Sequence, residues 1–144
     1  MGAFKRVILA VDGSENSKRA VEMVKKLAGN GSLHVAVVHV VQPVYQTVGA
    51  YGYFEIPSLL EVQEETGRKI LADTYAELAE TGAEVETHLV IGRIGEEICE
   101  LAREGGYDLI VVGRRGISRL GEVVLGSVSE YVIRHSHLPV LVVQ

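Results

Sequence analysis

Cysteine is almost missing from this chain: Cys99 stands alone, so no intrachain disulfide can form and the four-ligand zinc patterns built on paired cysteines are absent. Long apolar runs are missing too. Stretches such as Val7 to Val11 and Leu109 to Val112 fall far short of the roughly 20 residues that a membrane-spanning helix requires. Positive charge is in the minority, with 14 Lys and Arg against 19 Asp and Glu and a formal net charge of −5. That balance argues against a sequence-independent grip on nucleic-acid phosphates. Lys5 and Arg6 precede an apolar run, but Asp12 cuts it off and no small-residue cleavage site follows, so no export signal is read there. Met1-Gly2 opens like a myristoylation signal, yet Arg6 stands where Ser or Thr is needed. The expectation is a single domain in a reducing cytoplasm, with no membrane and no nucleic acid as partner. A length of 144 residues, 47% hydrophobic and 23% charged, suits one core.

What is present alternates in period. Val7 to Val11 is a continuous apolar run closed by Asp12-Gly13-Ser14, the form of a strand buried on both faces. Ala20, Val21, Val24, Leu27 and Ala28 then lie on one helical stripe, with Ser14 or Asn16 as its cap and Gly29-Asn30-Gly31 as its stop. Leu33 to Val41 reads as a second buried strand, ended by Pro43. Val44 to Pro57, rich in Tyr and Gly, reads as a long loop, and Ser58 to about Glu80 as a helix. Val85, Thr87 and Leu89 alternate with Glu84, Glu86 and His88, as in a strand exposed on one face or at a sheet edge. Ile94, Ile98, Leu101 and Ala102 predict a helix, Leu109 to Val112 a fourth strand, Val128, Tyr131 and Val132 a last helix, and Val140 to Val143 a fifth strand. Strands alternating with helices argue for an α/β, doubly wound parallel sheet, since parallel neighbours need crossovers.

In such a sheet, ligands bind beyond the carboxyl ends of the strands, where the strand order reverses. Strand one ends in Asp12. Strand four ends in Gly113-Arg114-Arg115-Gly116, which runs on to Gly126-Ser127 as G-x2-G-x9-G-S. Three features there suit a phosphate. Gly113, Gly116 and Gly126 permit close backbone approach and positive φ. Ser127 and Glu130 have the spacing of a capping box, which predicts a helix N-terminus, with free N–H groups and a positive dipole end, at Gly126 to Ser129. Arg114, Arg115 and Arg119 gather positive charge in a chain that is net acidic. The competing reading is an ordinary strand-to-helix turn with solvated arginines. Neither G-x-G-x-x-G nor G-x-x-x-x-G-K-[ST] occurs, which counts against a dinucleotide oxidoreductase or a P-loop NTPase.

Taken together, Ala10-Val11-Asp12-Gly13-Ser14, His39-Val40, Val111-Val112-Gly113 through Gly126-Ser127-Val128-Ser129, and Pro139 to Val143 resemble the universal stress protein family over the whole chain. The G-x2-G-x9-G-S motif is its most specific part and, in that family, marks the members that bind ATP. The resemblance implies a Rossmann-like, five-stranded parallel sheet of order 3-2-1-4-5. It also implies a homodimer, often paired through the final strand, and a regulatory role in stress tolerance. It further implies that Asp12 meets the nucleotide at the ribose side and that Val40 reads adenine through its backbone, with Ala10, Val11 and Val112 also among the nucleotide-binding positions. Gly113, Gly116, Gly126 and Ser127 would cradle the phosphates, Val128 and Ser129 would add contacts at the helix start, and Arg114 and Arg115 would fill the variable positions. The implied ligand is ATP, or AMP or ADP, with Mg2+ held through the phosphates. Ala10 departs from the proline of some ATP-binding relatives.

Other chemistry is sparse. His39 reads as a satisfied core histidine, and His135 and His137 lie near a helix end. None of them points to a metal. Cys99 reads as structural, with no Lys, Arg or His beside it to lower its pKa. No G-x-S-x-G elbow and no paired carboxylates mark a hydrolase, so no catalytic residue is assigned. Binding is favoured over catalysis. Two rival readings are kept: a slow ATP hydrolase or phosphotransferase on the same site, and a nucleotide-free dimeric module for a protein partner.

Overall fold

The computed structural model describes residues 4–29, 32–43, 45–47, 53–55, 57–114 and 125–144. In chain order its elements are β1 (Arg6–Ala10), α1 (Glu15–Leu27), β2 (His34–Val41), β3 (Tyr45–Thr47), β4 (Tyr53–Glu55), α2 (Pro57–Ala79), β5 (Glu84–Ile91), α3 (Ile94–Glu104), β6 (Leu109–Gly113), α4 (Ser127–His135) and β7 (Val140–Val143). Five of the strands make one parallel sheet in the order β5-β2-β1-β6-β7. Counted without the short β3 and β4, this is the expected 3-2-1-4-5.

The apolar runs of the sequence are continuous because both sides of the central strands are covered. Val7, Leu9, Val35 and Val37 face α1 and α2, where they meet Val21, Val24, Leu71 and Leu78. Ile8, Ala36, Val38 and Ile110 face the other way, onto Ile98, Cys99 and Ala102 of α3 and Val132 of α4. Val7, Ile8, Leu9 and Ile110 are fully buried, and each such side chain contributes about 1.5–3 kcal/mol relative to exposure. In-register pairing carries these faces across the sheet, with Ile8 between Ala36 and Ile110.

Among the described residues, β5 pairs only with β2 and forms one edge, which accounts for its alternation of charged and apolar residues; β7 pairs only with β6 and forms the other. Ser14 caps α1, its Oγ accepting from the Ser17 amide at 3.2 Å. The stretch expected to be a loop from Val44 to Pro57 contains an antiparallel hairpin, with Gln46 opposite Phe54, and α2 begins at Pro57. Tyr, Thr and Phe are strand formers, and Pro57 is the first residue of α2, where its missing N–H costs nothing. Residues 44, 48–52 and 56 of that stretch lie outside the described residues. Among the described residues, no helix is long and apolar enough to cross a membrane.

Candidate functional site

The strand order reverses between β1 and β6. The chain leaving β1 therefore turns to α1 on one face, while the chain leaving β6 returns as α4 on the other, and a crevice opens between the two strand ends.

Its inner part is apolar. Ala10, Val38, Val40 and Val112 floor a cavity of about 530 Å3, counted to its open mouth, and Ile94 and Ile98 of α3 wall it. The outer part, about 800 Å3, is polar: Asp12, Ser14 and Asn16 form one bank, Gly113 and Arg114 the base, and Gly126 to Ser129 the other bank. Asp12, Ser14, Gly113 and Val128 border both parts. The two are one cleft, of the size that small-molecule sites occupy. A larger groove between α1 and α2 is lined by charges that satisfy one another, such as Lys69 with Asp73 and Lys18 with Glu15.

Each bank is held by its own bonds. The Asp12 amide donates to Ser17 Oγ at 3.0 Å, and Asp12 Oδ1 accepts from the Ser14 amide at 2.9 Å. This is the side-chain-to-backbone turn that Asp favours, and Gly13, at φ +81°, supplies the left-handed residue within it. Asp12 remains exposed and borders the cleft. On the opposite bank the first helical backbone bond runs from the Glu130 amide to the Gly126 carbonyl at 2.9 Å. The amides of Ser127, Val128 and Ser129 precede it and have no partner within the helix. Ser129 is 2% exposed, and its Oγ donates to the Gly113 carbonyl at 3.3 Å, tying α4 to the end of β6.

Eleven of the thirteen residues expected at the site line this cleft: Ala10, Val11, Asp12, Val40, Val112 and Gly113 on the strand ends, then Arg114, Gly126, Ser127, Val128 and Ser129. Arg115 and Gly116 lie outside the described residues, as does Arg119. Two expectations about the local chemistry are corrected. The capping box is not formed: Gly126 is the N-cap, Ser127 is the first helical residue, no side chain caps the end, and Glu130 pairs with Arg134 at 2.8 Å. The helix begins one residue early because Gly126 already has the extended backbone of a cap, φ −63° and ψ 160°. The glycines are also not at positive φ, neither Gly113 nor Gly126. Gly113 lacks a side chain for another reason: a Cβ there would stand 2.5 Å from the Asn16 carbonyl oxygen and 2.9 Å from the Ser17 nitrogen. The first turn of α1 presses on it.

The sequence reading missed Val38, Ile94, Ile98, Ser14, Asn16 and Ser17 as cleft residues. Three of these carried a signal, since Val38 lies two residues from Val40 on the same strand face and Ile94 and Ile98 share a helix stripe. Cys99 is buried, and burial pushes its thiol pKa up although Arg103, four residues on, pulls the other way. That Arg103 lies within reach corrects the view that no cation is near. His39 Nδ1 lies 2.8 Å from the Val11 carbonyl oxygen, and His135 Nδ1 lies 3.0 Å from the Tyr131 carbonyl oxygen. Among the described residues, no three His, Cys, Asp or Glu side chains are placed to hold a metal ion.

Comparison with known proteins agrees with this geometry. Residues 3–144 match the universal stress protein family. Universal stress protein YxiE of Bacillus subtilis is 37% identical over 147 residues, covering 98% of this chain and 99% of its own. The solved universal stress protein UspA from Lactobacillus plantarum, 21% identical, has the same fold over the full length of both chains, with a TM-score of 0.83. A universal stress protein solved in complex with cAMP is 28% identical, with a TM-score of 0.72 over 99% of each chain.

Proposed function

Since this chain belongs to the universal stress protein family, we propose that its cleft binds ATP and that occupancy regulates the contacts it makes with a protein partner or a second copy of itself. The observation that carries this reading is the meeting of two unlike compartments at Asp12. A flat apolar base fits the Val38, Val40, Ile94 and Ile98 chamber. The ribose falls at Asp12. The phosphates reach the free amides of the α4 N-terminus and the Arg114 side of the outer chamber, where backbone donors and the helix dipole favour negative charge. In sequence, Arg115 and Gly116 complete the G-x2-G-x9-G-S motif. A relative solved with cAMP supports an adenine nucleotide as the class of ligand, and AMP and ADP compete for the same chamber.

The residues present fit such a ligand. Mg2+ would be carried on the phosphates and completed by water, as is usual for this ion, with Asp12 the one carboxylate among the described residues that line either chamber. That carboxylate already accepts from the Ser14 amide, so binding is a better reading of the site than turnover. Ligand that favours one conformation would shift the dimer or partner equilibrium by its differential affinity. β7, paired on one side only, offers an edge for a homodimer, which light scattering would count. We take the cytoplasm as its compartment.

The test is direct. Denaturing the freshly purified protein should release an adenine nucleotide identifiable by mass spectrometry. ATP with Mg2+ at a hundredfold excess over Kd should stabilise the fold by about 2.7 kcal/mol. Gly126→Val, which sets a side chain at the N-cap of α4 beside the free amides, should abolish the stabilisation in a protein that still melts cooperatively. A folded Gly126→Val variant with unchanged ATP affinity would overturn the assignment. Steady ADP production lost in Asp12→Ala would favour the hydrolase instead.

A further inference from the structure

Two contacts join α2 to the Val11 to Ser14 turn from behind the sheet, on the side away from the cleft. His39 belongs to β2, and its neighbours Val38 and Val40 line the core and cavity on the α3 and α4 face. Alternation therefore turns His39 toward α2. Its Nδ1 lies 2.8 Å from the Val11 carbonyl oxygen. A carbonyl can only accept, so Nδ1 carries the hydrogen and donates it. The ring is seated under Gly67 in the middle of α2, where a Cβ would fall 2.5 Å from His39 Cδ2 and 2.9 Å from Leu89 Cδ1. Glycine is a poor residue for a helix interior. Here it makes the room that the imidazole occupies. Three residues further along the same helix, Ile70 covers Gly13, and a Cβ on Gly13 would meet its Cδ1 at 3.0 Å.

We propose that His39 is a positioning residue for the nucleotide turn and that α2 sets the turn through it. The imidazole holds the Val11 carbonyl, the carbonyl fixes the peptide that leads into Asp12, and α2 fixes the imidazole through Gly67. This rests on the reading of the cleft as a nucleotide site. Neither His39 nor Gly67 lines the cleft, so a displacement of α2 reaches Asp12 through a side chain on the far face of the sheet. By linkage the influence is mutual, and a ligand that orders the turn also steadies α2 around Gly67 and Ile70.

The experiment compares His39→Asn, His39→Leu and Gly67→Ala with the parent chain. Asn carries its amide nitrogen close to the position of Nδ1 and can still donate; Leu fills space and cannot. Two readouts are taken: ATP affinity by calorimetry, and amide hydrogen exchange at Asp12 and Ser14 with no nucleotide present. His39→Leu should weaken ATP binding about fivefold and speed exchange at Asp12 by a similar factor, as expected for one lost hydrogen bond. His39→Asn should stay within about twofold of the parent in both. Gly67→Ala should follow His39→Leu although the substituted position is remote from the cleft. Equal behaviour of Leu and Asn would reduce His39 to a packing residue and overturn the proposal, as would parent-like exchange in both His39→Leu and Gly67→Ala. A parent chain that binds no ATP would overturn the nucleotide reading, while the exchange arm still decides the role of His39. Should His39→Leu fail to fold, Gly67→Ala against His39→Asn decides it.

Discussion

The two ends of the same sheet treat their charged groups in opposite ways. At the amino end the carboxylates are engaged by the chain's own donors. Asp108 Oδ2 accepts from the amides of both Lys5 and Arg6, at 2.8 and 2.9 Å, and these bonds hold its carboxyl below the usual range. Glu86 accepts from the Tyr107 hydroxyl at 2.9 Å, with His34 and His88 3.4 and 3.2 Å from the same oxygen and the Arg6 guanidinium 4.9 Å over the Tyr107 ring. Burial works against the Glu86 charge, yet the hydrogen bond from Tyr107 and the close approach of His88 and His34 outweigh it and hold the pKa at about 2. Burial, and then the bond to Glu86, push the Tyr107 phenol up to about 12. At the carboxyl end Asp12 is exposed and the first amides of α4 have no helical partner. One end uses its polar groups to close the fold, and the other leaves them for something else to bind.

Substitutions can break that contrast, and the largest effect belongs to the residue that serves both purposes. Gly113→Val sets a side chain against the backbone of the first turn of α1 and should cost about 3 kcal/mol of stability, together with ATP binding, read by urea denaturation and calorimetry. Tyr107→Phe removes a hydrogen bond to a charged acceptor at the amino end. It should cost about 1.5 kcal/mol and leave ATP affinity unchanged. Glu86→Gln sharpens the comparison through pH. The folded-state value lies below the ordinary 4.5, so the carboxylate stabilises the fold above about pH 4.5, and this contribution is lost as the pH falls through about 2. Screening at a side chain 42% exposed limits it to about 1 kcal/mol, and acid titrations of the two proteins should converge toward pH 2. Ser127→Ala should change stability by less than about 0.5 kcal/mol while weakening ATP binding about threefold, which isothermal titration would show.

Much of this architecture was legible because one physical rule wrote it. A strand covered on both faces must be apolar throughout, so Val7 to Val11 and Val35 to Val41 announced the parallel sheet, and the charged alternation of Glu84 to His88 announced its edge. The positions of the cleft residues followed from the strand ends. What escaped was set by groups distant in the chain. Nothing local to Gly113 says that Asn16 will press on it, and nothing local to Gly67 says that it will seat an imidazole from β2. The hairpin was hidden because Tyr and Gly in one short stretch serve a strand as well as a loop. The capping box failed by a single residue, since Gly126 and Ser127 are both acceptable caps and the spacing to Glu130 does not decide between them.

The close approach of α1 to Gly113 bears on how the motif should be interpreted in other chains of this shape. Selection for folding alone would preserve that glycine, whatever had become of the ligand. A lineage that abandoned nucleotides would be free to lose Ser127 while keeping Gly113 intact. The informative letters of the pattern are therefore its last ones, and a chain that retains only the first glycine reports its ancestry and not its occupation.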